Sequence, residues 1–189
     1  IIKNNADDKD IIFQSDDGSG GVTDYFYLDG SATKTIFPQS LQVQDTKAVF
    51  VGNAGDGSFF HNGTNTFLSN STGALILEQL ADDSDIILKC DDGSGGATAY
   101  LTLDGSSTRI KIDENMEFQD SVALKLGTSD DFRMYHDGSN TYFRQEGTGK
   151  LDIRSDVTDG DIAFRADNGS GGTMNYLVID GGATAIDLK

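Results

Sequence analysis

The sequence predicts an all-β chain with essentially no α-helix, and three observations carry that expectation. Apolar and polar side chains alternate with a period of two. Turn dipeptides such as Asp29-Gly30, Asn62-Gly63 and Asp137-Gly138 punctuate short apolar runs at spacings of roughly eight to twelve residues. One block is written repeatedly along the chain, and tandem units of this kind stack along one axis, which predicts an elongated, repetitive β-fibre.

The repeat sets the domain boundaries. A first module, A, opens on Asp10-Ile11-Ile12-Phe13, passes through Asp16-Asp17-Gly18-Ser19-Gly20-Gly21 and closes on Tyr25-Phe26-Tyr27-Leu28-Asp29-Gly30. It returns as Asp85-Ile86-Ile87-Leu88, Asp91-Asp92-Gly93-Ser94-Gly95-Gly96 and Tyr100-Leu101-Thr102-Leu103-Asp104-Gly105. The third copy reads Asp161-Ile162-Ala163-Phe164, Asp167-Asn168-Gly169-Ser170-Gly171-Gly172 and Tyr176-Leu177-Val178-Ile179-Asp180-Gly181. Between copies lies a module B, in which Phe59-Phe60-His61-Asn62-Gly63 matches Met134-Tyr135-His136-Asp137-Gly138, and each B copy then reaches an apolar run expected to be a strand, 73–77 or 149–153. Residues 1–6 align with the tail of such a module. The expected organisation is therefore 1–6 (B tail), 7–37 (A), 38–81 (B), 82–112 (A), 113–157 (B) and 158–189 (A), with further copies expected beyond both ends.

Within module A the last strand fixes a phase. Thr35 and Phe37, Ile110 and Ile112, and Ile186 and Leu188 fall on the inward side, as does Leu103 of the preceding strand. Lys34, Ile36, Arg109, Lys111, Ala185 and Asp187 alternate with them on the outward side, where Ile36 is the misfit. No long segment repeats apolar residues at helical spacing, and 23 glycines would weaken any helix. Two-residue hairpin turns are expected at the Asn-Gly and Asp-Gly dipeptides, whose residues tolerate positive φ.

Composition makes the core thin. Ile, Leu, Val and Phe together supply 46 of 189 residues, and the single cysteine, Cys90, allows neither an intrachain disulfide nor a cysteine zinc site. Cys90 stands where the other copies have Ser15 and Ala166, a small-residue position. The net charge of −17 disfavours nucleic acid and anionic membrane surfaces as partners, and no apolar run is long enough to insert in a bilayer. A lone chain of short strands would also leave open strand edges in every unit. Winding three chains about one axis pairs those edges and pools three thin cores, so the expected architecture is an intertwined parallel homotrimer, with B a triple β-helix and A a β-prism.

The strings Tyr135-His136-Asp137-Gly138-Ser139-Asn140-Thr141-Tyr142-Phe143 and Asp92-Gly93-Ser94-Gly95-Gly96, followed by Leu103-Asp104-Gly105-Ser106, resemble the repeats of tail-fibre and related virion structural proteins of tailed bacteriophages, marine ones especially. The resemblance covers nearly the whole chain. It implies a shaft segment of a trimeric fibre on an extracellular virion, a rigid spacer carrying a receptor-binding tip, with any host glycan or receptor engaged by parts outside this chain. The alternative is a repeat of a bacterial glycan- or calcium-binding adhesin.

Candidate sites are few. The carboxylates of Asp16, Asp17, Asp91, Asp92 and Asp167 could converge on calcium, although the loops lack the order of an EF-hand or a calcium β-roll, and a solvated hairpin loop is the competing reading. His61 and His136 precede equivalent turns and in a trimer could form rings of three imidazoles able to take a transition metal; packing on the turn is the competing reading. Tyr25, Tyr100 and Tyr176 could form a glycan-stacking ladder or be buried between chains. No pair of carboxylates stands out for glycoside cleavage and no nucleophile elbow is present, so the expectation is no enzyme and no cofactor.

Overall fold

The computed structural model describes residues 1–188. It is all-β with no helix among the described residues, so no helix is long and apolar enough to cross a membrane. Among the described residues, fifteen strands form five separate three-stranded antiparallel meanders in chain order. Residues 1–82 make one compact unit and residues 83–189 another.

The first unit holds two sheets. Strands β1 (Ile11–Asp16), β2 (Val22–Asp29) and β3 (Lys34–Ile36) form the first, and β4 (Ala48–Val51), β5 (Gly57–His61) and β6 (Thr66–Asn70) the second. The second unit holds three. Strands β7 (Ile86–Asp91), β8 (Ala97–Asp104) and β9 (Arg109–Ile112) repeat the first sheet, and β10 (Leu124–Leu126), β11 (Phe132–His136) and β12 (Thr141–Gln145) repeat the second. Strands β13 (Ile162–Asp167), β14 (Thr173–Asp180) and β15 (Ala185–Leu188) are the third A sheet. Within each unit, no strand touches a strand of another sheet.

Two local expectations are corrected. The hairpin turns have four residues, because β5 pairs His61 with Thr66 and β2 pairs Asp29 with Lys34. Asn62 Oδ1 accepts the N–H groups of Thr64 at 2.9 Å and Asn65 at 2.8 Å, which widens the loop, and the positive φ that it does require, 97°, falls on Gly63. In the Asp29-Gly30 loop the left-handed residue is Thr33, with φ 51°, and Thr108 and Thr184 repeat it. Gly30 is needed for a different reason. A Cβ there would lie 2.4 Å from the carbonyl oxygen of Lys9, and the equivalents Gly105 and Gly181 approach Ser84 and Gly160 as closely. At each of the three, the glycine N–H donates to an aspartate 20 residues earlier, Asp10, Asp85 or Asp161, at 3.0 Å.

The apolar runs 73–77 and 149–153 are not strands in this chain. A strand exists only with a ladder partner, and none of the backbone groups of 74–80 or 150–156 is hydrogen-bonded among the described residues.

Candidate functional site

Directly opposed residues of antiparallel strands share a face, so the register sorts every side chain. In the middle A sheet, Ile86, Leu88, Leu101, Leu103, Ile110 and Ile112 fall on one face. The third sheet places Ile162, Phe164, Leu177, Ile179, Ile186 and Leu188 at the same positions. In the first, Ile11, Phe13, Phe26, Leu28 and Thr35 occupy them, with Phe13 stacked on Phe26 at 4.3 Å and Phe26 on Phe37 at 5.9 Å. Each A sheet thus carries one continuous apolar face. The alternation read from sequence puts Thr35, Phe37, Leu103, Ile110, Ile112, Ile186 and Leu188 on that side, and the register agrees. Ile36, the misfit, lies opposite Tyr27 on the other face, with Ile12 on the far side of that tyrosine.

A β-bulge keeps this face apolar. Pairing shifts between Phe13 and Gln14, leaving Tyr25 as the extra residue, and Tyr100 and Tyr176 take the same place in the other copies. Strict alternation would carry Asp24 and Asn175 onto the face of Phe26 and Leu177. The shift returns them to the polar side, where Gln14 donates to Asp24 at 2.7 Å and Arg165 to Asn175 at 2.6 Å. Each tyrosine hydroxyl donates to the carbonyl of Asp16, Asp91 or Asp167 at 3.2, 3.2 and 2.9 Å, tying the bulge to the end of the first hairpin. The recurring Tyr between apolar neighbours was visible in the sequence; its role as the bulge was not, because only the partner strand shows that a residue is extra.

The opposite face is mixed, with Ile87 of the middle sheet and Val178 of the third among its polar residues. Asp104 is one of the few buried residues, ion-paired with Lys111 and accepting from Ser106 Oγ at 2.8 Å and Ser107 N at 2.7 Å. Its lysine partner and these donors hold its carboxyl well below the usual carboxylate range.

The B sheets share an apolar face too. Val49, Val51, Phe59 and Leu68 of the first correspond to Leu124, Leu126, Met134 and Phe143 of the second. Their other faces diverge. The first B sheet stacks Phe60 on Phe67 at 4.9 Å, whereas the second has Tyr135 on Tyr142 at 4.9 Å flanked by Arg133, Arg144 and Glu146. Both arginines pair with Glu146, and Lys125 pairs with Asp130, so each cation has a carboxylate partner although the two arginines share one.

These apolar faces are uncovered. Val178 is the only buried apolar side chain among the described residues, while Ile110 and Ile186 are 68% and 69% exposed. The chain exposes 15,255 Å². A folded monomer of 20.2 kDa is expected to expose about 8,800 Å². The excess, about 6,500 Å², exceeds several-fold the roughly 800 Å² that each partner contributes to an ordinary interface.

The candidate ligand residues are engaged within their own loops. Asp17 Oδ1 accepts from Ser19 N, Ser19 Oγ and Gly21 N at 2.8, 2.9 and 3.0 Å, and Asp92 repeats this with Ser94 and Gly96. Asp16, Asp91 and Asp167 each accept from the glycine two residues on. In the third copy Asn168 does the work of Asp17 through its amide oxygen, accepting from Ser170 and Gly172 at 2.9 and 3.2 Å. An amide suffices, so the position requires an acceptor rather than a charge. His61 Nδ1 lies 2.9 Å from Asp45 Oδ1 and 3.1 Å from Gly63 N, whereas His136 Nδ1 meets Thr141 Oγ1 at 3.2 Å. No group of three or more His, Cys, Asp or Glu is placed to hold a metal ion among the described residues. Tyr25, Tyr100 and Tyr176 remain 41–45% exposed in the single chain, and Cys90 is exposed.

No protein-family model, curated protein or solved structure matches the chain.

Proposed function

We propose that this chain is a structural shaft segment of a fibre, a spacer built from parallel copies that bury their apolar faces against one another. The observation that carries the proposal is the missing core: repeated one-sided apolar sheets stand half-exposed or more, and Val178 is the single buried apolar residue among the described residues. Burial of apolar surface is the main favourable term in folding, at about 25 cal/mol per Å², and a chain that leaves this much uncovered depends on partners for it. Three sheets can turn one apolar face each toward a common axis and keep the polar face in water, as in a prism. That stoichiometry also follows from the resemblance to phage tail-fibre repeats, which supports a place on the virion behind a receptor-binding tip. The acidic loops favour this reading over a calcium-dependent adhesin, because their carboxylates already accept their own backbone N–H groups.

Light scattering on the purified chain tests the proposal. The expected mass is three times the 20.2 kDa of one chain. A monodisperse monomer at micromolar concentration would overturn it, and a stable dimer would overturn the threefold arrangement.

A further inference from the structure

We propose that the segments joining consecutive sheets, residues 40–44, 74–80, 115–119 and 150–156, are strands completed by a second copy of this chain, each pairing in parallel and in register with the same segment of its neighbour. The inference rests on the assembly reading above and assigns the part of the chain that joins the copies through the backbone.

All four segments run without turn or bend, and none has a strand partner. Apart from the carbonyls of Gln44 and Gln119, which close the turns that follow, no backbone N–H or C=O in them is hydrogen-bonded within the chain. Linkers with that much free backbone are ordinarily polar and rich in Gly, Ser or Pro. These are not. Leu41 and Val43 recur as Met116 and Phe118, and Leu75 and Leu77 recur as Leu151 and Ile153, always at alternate positions. All eight side chains are exposed, at nearly equal levels in the two copies: Leu77 is 60% exposed and Ile153 61%. Alternating apolar side chains on an unpaired backbone describe a strand whose partner lies elsewhere.

The partner is another copy because the segments border the apolar faces already described. Leu75 lines a groove with Val51 and Leu68, and Ile153 lines one with Ile162 and Ile179, so each segment extends a surface that the assembly must cover. In-register pairing stacks Leu75 on Leu75 and Ile153 on Ile153. On the other side of 150–156 the charges alternate in sign, with Lys150 paired to Asp152 at 3.2 Å and Arg154 to Asp156 at 3.3 Å. Each charge then finds an opposite one on the diagonal of the neighbouring strand, which offsets the like charge directly beside it.

Amide hydrogen exchange on the assembled wild-type chain reads the pairing directly. The amides of 74–80 and 150–156 are expected to exchange at least about 1,000-fold more slowly than in an unstructured peptide. A particle of three chains whose amides exchange freely in these segments overturns the inference and leaves the shaft reading standing; a monomer overturns both. Register is tested by cross-linking. With Cys90→Ser removing the native thiol, Ile76→Cys places like residues about 4.8 Å apart in a parallel in-register pair, within disulfide reach. Oxidation should then give covalently linked chains, and their absence in an intact assembly rejects the register.

Discussion

Asp17 and Asp92 hold their loops through hydrogen bonds to the backbone of Ser19 and Gly21, and of Ser94 and Gly96, and these bonds hold both carboxyls below their ordinary pKa. A carboxyl depressed in the folded state stabilises the fold above its ordinary value, about 3.9, and that contribution disappears as pH falls through the lower, folded value. The double substitution Asp17→Asn, Asp92→Asn copies Asn168: it keeps the acceptor and removes the titration. Its melting temperature should sit slightly below wild type at pH 7, with the gap closing below about pH 4. A gap independent of pH would mean that charge plays no part in these loops. A second residue-scale prediction concerns Gly105, where a Cβ would sit 2.4 Å from the backbone oxygen of Ser84, an atom that moves only with its strand. Gly105→Ala should lower stability by more than about 2 kcal/mol, whereas Gly93→Ala, with φ +80° and nothing within 4 Å, carries only the left-handed penalty of about 1 kcal/mol. Chemical denaturation distinguishes them, and equal losses would refute the close-approach account.

The element scale is set by the one-sided sheet and its bulge. Leu103 and Ile112 lie on the apolar face of the middle A sheet, so Leu103→Asp with Ile112→Asp puts two carboxylates into the surface that the proposed assembly would desolvate. Loss of assembly and a loss of several kcal/mol are expected, because an unpaired buried charge is among the most costly substitutions. Lys111, on the opposite face, is an unsuitable control although its strand phase marks it as solvent-facing. Its ammonium pairs with buried Asp104, and removing it would leave that carboxylate without its cation. Lys89→Ser, also on the polar face, should be close to neutral. If the double variant assembles with an unchanged melting temperature, the apolar face is not the one buried.

At the scale of the whole molecule, the proposed assembly predicts that a chain without its own core folds and associates in one event. Partners bound only by the folded state raise apparent stability by mass action. The melting temperature should therefore rise with protein concentration, and scattering and circular dichroism should report one coincident transition. A melting temperature independent of concentration, or dissociation well before loss of strand signal, would show that the separate sheets are stable alone. Each sheet leaves much of its apolar face in water and packs on no other sheet of its unit, which favours the coupled outcome.

The all-β class and the apolar phase of the A strands were legible in the sequence, because each depends on local periodicity. The phase held even at Ile36, whose mismatch marks a small apolar patch with Ile12 and Tyr27 on the far side of the first sheet. Pairing decided the rest. The four-residue loops, the bulge at Tyr25, Tyr100 and Tyr176, and the pairing of Asp104 with Lys111 depend on which residue stands opposite which, and a single strand carries no record of its partner. The runs 73–77 and 149–153 make the same point from the other side. Their short apolar make-up is that of a strand, yet a strand is a relation between two stretches of backbone, and only the tertiary structure shows that the described residues do not supply the second.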